Sequence, residues 1–110
     1  NADGVIPEDQ RRTGEPTSKP AEKGSYPWEA LQGAVVTAVL LDRAGEVNFH
    51  AGGFALVRAY NWLHDVNDNP ASGDDTWQPW LVNRVAGTKY PTKAASSPGK
   101  LMGWTDWTHA

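Results

Sequence analysis

The chain has 110 residues, a formal net charge of −3 and a pI near 5.5. That length gives one small core, and the acidic balance argues against a nucleic-acid or anionic-membrane partner, which would need clustered Lys and Arg to neutralise phosphates. The absence of Cys excludes disulfides, thiolate metal sites and Cys nucleophiles, and the longest apolar run, Ala34 to Leu41 with one Thr, falls far short of the roughly 20 residues needed to cross a bilayer.

Residues 1–25 are rich in Pro, Gly, Glu, Lys, Arg and Thr, with Val5 and Ile6 as almost the only large apolar side chains. Such a segment cannot bury enough apolar surface to offset its ordering entropy by itself. It reads as a polar extended arm lying along a surface, either its own domain's or a partner's, with residues 26–110 as a single globular domain. The first residue is Asn, which fits a mature chain after removal of a leader as well as a trimmed one. On the former reading the chain is secreted or periplasmic.

Tyr26-Pro27-Trp28-Glu29 is a helix start, because Pro is tolerated in the first turn and Glu29 complements the helix dipole there. A helix from Pro27 to about Arg43, closed by Gly45, places Trp28, Leu31, Val35 and Val39 on one apolar stripe and Ala30, Ala34 and Ala38 on a stripe of small side chains. A second helix over about 47–64 puts Leu56, Ala59, Tyr60 and Leu63 on one face and Ala51, Ala55 and Ala59 on a matching small stripe, the pattern of an αα-hairpin. The β-branched residues of Val35-Val36-Thr37, Val39 and Val47 allow a rival α+β reading with a β-hairpin around 35–50, and Gly52-Gly53 marks a possible break. The stretch His64–Trp77 is a loop, Asp75 or Thr76 is the N-cap of a short third helix through about Ala86, and Gly87 is its stop. Residues 88–110 read as irregular and end in the aromatic Met102-Gly103-Trp104-Thr105-Asp106-Trp107. The expected fold is therefore mainly α, a small domain of about three helices.

Asp65-Val66-Asn67-Asp68-Asn69 presents oxygen-bearing side chains at close spacing, which suits a hard cation such as Ca²⁺ with its six to eight oxygen ligands. Asp65, Asn67, Asp68, Asn69 and Asp75 are the candidate ligands. The loop resembles an EF-hand in lying between two helices, but Pro70 stands where that loop needs Gly, and Thr76 where it needs a bidentate Glu. The run Asp65 to Pro70 also resembles the inter-domain calcium motif of cadherins. In that family it ends a β-sandwich and shares calcium with upstream acidic motifs; Leu41-Asp42-Arg43 echoes one of these without the Glu that should follow, and no seven-strand pattern surrounds it.

An enzymatic reading starts from His64-Asp65, which with His50 upstream and Asp74 or Asp75 downstream is similar to the ligand order of metal-dependent HD phosphohydrolases. On one continuous helix, however, His50 and His64 lie about 21 Å apart, so only a break at Gly52-Gly53 could bring them to one metal. Complete phosphate-loop, nucleophile-elbow and His-Glu-x-x-His motifs are missing. Six Trp residues in so short a chain point instead to contact surfaces as well as core, and Trp77, Trp80, Trp104 and Trp107 are the candidate interface. The sequence is thus expected to encode a non-catalytic accessory or structural subunit that docks on a partner protein through its N-terminal arm and Trp-rich C-terminal segment. The alternative is a Ca²⁺-dependent ligand-binding module or small metal-dependent hydrolase built on residues 64–77.

Overall fold

The computed structural model describes residues 2–12, 23–95 and 102–110. The chain is mainly helical, 60% so, with no strand among the described residues, which disposes of the β-hairpin around 35–50. In chain order the elements are α1 (Pro7–Arg11), α2 (Tyr26–Arg43), α3 (Ala51–Asn61), a π-helical turn (Trp62–Val66), a 3₁₀ turn (Gly73–Asp75), α4 (Trp77–Ala86) and a single turn, α5 (Thr105–Thr108).

Helix α2 begins and ends where its residues dictate. Pro27 lies in the first turn with Glu29, whose N–H donates to Ser25 O at 2.9 Å. At the other end Gly45, with φ +73°, turns the chain so that Glu46 N–H donates to Leu41 O and Gly45 N–H to Asp42 O, the paired bonds of a Schellman stop. Helix α4 stops at Gly87 in the left-handed conformation, whose N–H returns to Asn83 O at 3.0 Å. Thr76 does not cap α4 with its side chain; its hydroxyl donates back to Gly73 O and closes the 3₁₀ turn.

The second helix differs from expectation at both ends. Gly52, Gly53 and Phe54 all take left-handed backbone angles, so regular α-helix starts only after Phe54, and residues 47–50 are outside it. The two glycines reach φ > 0 at little steric cost and carry Phe54 with them, while the Arg58 guanidinium donates to the carbonyls of Gly52 and Gly53 that this bend exposes. At the far end the helix widens: Asn67 N–H reaches Trp62 O and Asn69 N–H reaches Leu63 O.

All four residues of the large α2 stripe, Trp28, Leu31, Val35 and Val39, are buried against Ala59, Tyr60 and Leu63 of α3 and its π turn and against Trp77, Leu81 and Val82 of α4. Burial of each large side chain contributes about 1.5–3 kcal/mol. The small-residue stripes do not seam the helices together: Ala30 and Ala34 are exposed, and Gly33, Ala34, Thr37 and Ala38 instead floor a groove of about 390 Å³ walled by Val47, Phe49 and Leu56.

A buried polar network ties the three main helices. Gln78 is fully buried; its amide donates to Trp28 O (3.0 Å) and to Asp75 Oδ1 (3.0 Å), and its carbonyl accepts the Tyr60 hydroxyl (2.7 Å). Gln32 adds a second amide donor to Asp75 Oδ1 at 2.8 Å. Burial, together with the neighbouring Asp75 and Tyr90, pushes the Tyr60 phenol well above its ordinary pKa, so it stays a hydrogen-bond donor.

The described part of the N-terminal arm is not extended over solvent. Residues 7–11 form a helix packed on α2, Ile6 lies against the core, and the Arg12 guanidinium sits 5.6 Å from the centre of the Tyr26 ring. Gly4 is buried against α3 so closely that a Cβ there would lie 2.1 Å from Arg58 O. The boundary at residue 25 thus marks the start of α2, while residues 2–12 fold onto the same body.

Two outcomes test this account. Tyr60→Phe leaves the Gln78 carbonyl buried without its donor and is expected to cost about 1–2 kcal/mol in urea unfolding, whereas Gln78→Ala, which strands several partners and opens a cavity, should cost about 3 kcal/mol or more. Gly4→Ala should unseat residues 2–12, seen as accelerated amide exchange confined to that segment, with the exchange of α2 and α4 unchanged.

Candidate functional site

The stretch from His64 to Trp77 has the ends of α3 and α4 as its frame; the side chains of Asp68, Asn69, Asp75 and Thr76 are bonded within the fold, whereas Asn67 Nδ2 is buried with no hydrogen-bond partner among the described residues. Asp68 Oδ2 takes the Lys23 ammonium at 2.5 Å, and this hydrogen bond and charge hold the Asp68 carboxyl below its ordinary pKa. Asn69 Nδ2 donates to Gly24 O at 2.9 Å, and Asn69 O accepts the Trp28 indole N–H at 2.9 Å. Asp75 is 3% exposed and bound by Gln32 and Gln78, and Asn67 is buried. Among the described residues no three acids or histidines gather where a metal could be held. Asp68 and Asn69 therefore act as a clasp that fixes the chain at Lys23 and Gly24, just ahead of α2, and Asp75 belongs to the interior network.

The break at 52–54 on which the two-histidine metal reading depends is present, but each ring has its own aromatic setting. His50 lies 4.6 Å from the Phe54 ring and edge-on to Phe49. His64 stacks on Tyr90 at 4.6 Å with the planes 8° apart and meets Trp28 edge-on at 5.6 Å. Its Nε2 is buried without a hydrogen-bond partner among the described residues. Burial lowers the His64 pKa, with Asp65 opposing the shift in part, so the ring is held neutral. Tyr90 is held in turn by Asn83, which spans its N–H and C=O, and its hydroxyl donates to Asn61 Oδ1 at 2.6 Å; burial and then Asp65 push its pKa up to about 12.

The four candidate interface tryptophans divide into two kinds. Trp77 is 1% exposed and belongs to the core, because α4 turns it inward beside Gln78, so it cannot offer a docking surface. Trp80 is half-buried, and its indole N–H donates to Lys93 O at 2.8 Å, pinning the segment after α4. Trp104 and Trp107 are exposed at 48% and 82%. They flank Thr105, which is fully buried and donates to Trp77 O at 2.7 Å, while Asp106 Oδ2 accepts the Ala95 N–H at 3.1 Å. Trp104 itself takes φ +59° at the start of α5. The C-terminal segment, expected to be irregular, thus contains one clamped turn that holds two indoles out from the surface.

Sequence reasoning passed over Gln32, Gln78 and Thr105, the polar residues that do the clamping. A signal for one of them was there: Gln32 falls beside Leu31 and Val35 on the apolar stripe of α2, so a polar side chain at that position had to face the core.

The neutral state of His64 sets a sign for pH dependence. Its folded pKa lies below the ordinary 6.5, so below that value the unfolded chain binds the proton more readily and stability falls as pH falls. Urea unfolding from about pH 7.5 down to about pH 5 should show this decline. It should be shallower in His64→Gln, the remainder coming from His109, whose pKa is also lowered, by burial first and then by Arg43 and Arg84.

Comparison with protein-family models, curated proteins and solved structures finds no match to this chain, so its functional reading rests on its own geometry.

Proposed function

We propose that this chain is a non-catalytic docking subunit that engages a partner protein through Trp104, just ahead of α5, and Trp107 within it. The observation that carries the reading is the contrast within one helical turn: Thr105 is fully buried and bonded to α4, while the indoles on either side of it stand 48% and 82% exposed. A Trp side chain buries 150–250 Å² when covered, so leaving two in water is costly unless a partner covers them. Their backbone is already fixed by Thr105 and Asp106, which reduces the ordering entropy that docking must offset. The role first expected of the N-terminal arm is narrowed, because residues 2–12 pack on the domain itself; residues 13–22 lie outside the described residues.

The Ca²⁺-dependent alternative draws less support, since Asp68, Asn69 and Asp75 each have partners within the fold. It has its own readout: a melting temperature that rises on adding Ca²⁺ and falls with EDTA would restore it, because a cation binding only the native state must stabilise that state.

The docking reading is tested with the wild-type chain and a Trp104→Ala/Trp107→Ala double variant as bait in extracts of the source cells. The exposed indoles contribute little to the fold, so the variant should melt within about 2–3 °C of wild type and lose a partner that the wild type retains. Equal recovery of every partner by both baits would refute it.

A further inference from the structure

The exposed turn of α5 sits in the basic part of an acidic chain. Residues 76–110 carry Arg84, Lys89, Lys93 and Lys100 against a single carboxylate, Asp106, while residues 1–75 carry six cations against twelve carboxylates. That one carboxylate is directed inward: Asp106 Oδ2 is engaged by the Ala95 N–H, and Oδ1 is buried. Two cations from separate helices lie at this end of the molecule, and the backbone of a third, Lys93, runs beside it. Arg43, in the last turn of α2, and Arg84, in the last turn of α4, lie close enough to the His109 ring for their charges to act on it. Lys93 is fixed nearby, since its carbonyl accepts the Trp80 indole and Ala95, two residues on, binds Asp106.

The side chains of Arg43, Arg84 and Lys93 are exposed, and none of them forms an ion pair among the described residues. The helix dipoles account for basic residues at these two C-termini, but they give the guanidinium heads no carboxylate partner among the described residues. The acid nearest in sequence to Arg43 is occupied: Asp42 Oδ1 accepts the Phe49 N–H at 2.8 Å.

We infer that the Trp104–Trp107 surface receives a carboxylate-bearing segment of its partner protein, the indoles covering apolar side chains while Arg43 and Arg84 pair with flanking acids. This rests on the docking reading above and adds the chemistry of the partner. Trp and Arg are the residue types that dominate binding energy at protein interfaces, and a guanidinium matches a carboxylate in a two-bond fork. An anionic membrane or a nucleic acid offers the same sign of charge, but over a large area that the net negative charge of residues 1–75, six cations against twelve carboxylates, opposes. A protein partner needs only a local acidic patch.

The test follows the six indole N–H signals by NMR while the full chain is titrated with defined probes. These are a synthetic peptide alternating Glu and Leu, its Lys and Leu counterpart, phosphatidylserine vesicles and oligothymidylate. The expected result is movement of the Trp104 and Trp107 signals with the Glu peptide alone, weakened by salt and weakened at least about tenfold in Arg43→Glu/Arg84→Glu. No movement up to about 1 mM Glu peptide, or movement with the Lys peptide, vesicles or oligothymidylate instead, overturns the inference. If Trp104→Ala/Trp107→Ala abolishes peptide binding and the charge reversal does not, the docking reading stands and the acidic partner falls. If neither variant affects binding, both fall.

Discussion

Gln78 is the residue through which the three principal helices are held in one arrangement. Its carboxamide has two donors and one carbonyl, and all are spent inside the core: on the Trp28 carbonyl of α2, on the Asp75 carboxylate ahead of α4, and on the Tyr60 hydroxyl of α3. Apolar stripes alone would let α2, α3 and α4 slide or rotate by a fraction of a turn with little change in buried area. A buried amide with fixed partners does not permit this, because every displaced register leaves a donor or acceptor dry and unpaired. The same constraint reaches the surface: Trp77 is set beside Gln78, its carbonyl accepts Thr105, and Thr105 positions α5. The exposed indoles are therefore tied to the centre of the core by one hydrogen bond, from Thr105 to the residue that precedes Gln78.

That arrangement also explains why the acidic central loop is a joint. Between α3 and α4 the chain must reverse, satisfy its own carbonyls and tie down the entry to α2. The π turn at 62–66 delays the exit by one residue, Asn69 bonds Gly24 through its side chain and the Trp28 indole through its carbonyl, and Asp68 pairs with Lys23. Asp, Asn and Pro suit local turns, and Asp68 and Asn69 add cross-links to the residues just ahead of α2.

What could be read from the chain alone follows from the kind of force involved. Hydrophobic period and stop signals are local, so α2 with its Gly45 stop, α4 with its Gly87 stop, and the core faces of both are legible in the residues themselves. The rest depends on groups distant in sequence. Gln32 and Asp75 are 43 positions apart and Gln78 and Trp28 are 50, so nothing in either neighbourhood announces the pairing. The run of left-handed residues at 52–54 is only half visible: two glycines signal a break, but nothing local announces that Phe54 continues it at φ +62°. The paired alanine stripes mislead in part, since small residues permit close helix contact without requiring it: Ala34, Ala38 and Ala51 line a groove, while Ala59 is in the core. At the C-terminus Trp content was legible, but the division between a core Trp77 and exposed Trp104 and Trp107 was not, because one threonine buried from outside the helix pattern decides it.

The C-terminal turn concentrates the conflict between stability and exposure. Four residues cannot sustain a helix in water by propensity, since nucleation outweighs the few bonds formed, so α5 exists because Thr105 and Asp106 fasten it to α4 and to Ala95. A turn fastened for its own stability would be expected to turn its largest side chains inward. Here Thr105 is the buried residue and both indoles are exposed, with Trp104 in a left-handed conformation that a bulky residue adopts at a cost. The fold thus accepts backbone strain and apolar exposure at the same four residues while its core remains closed around Gln78. Exposure of both indoles at a fastened turn is the feature on which the docking proposal rests.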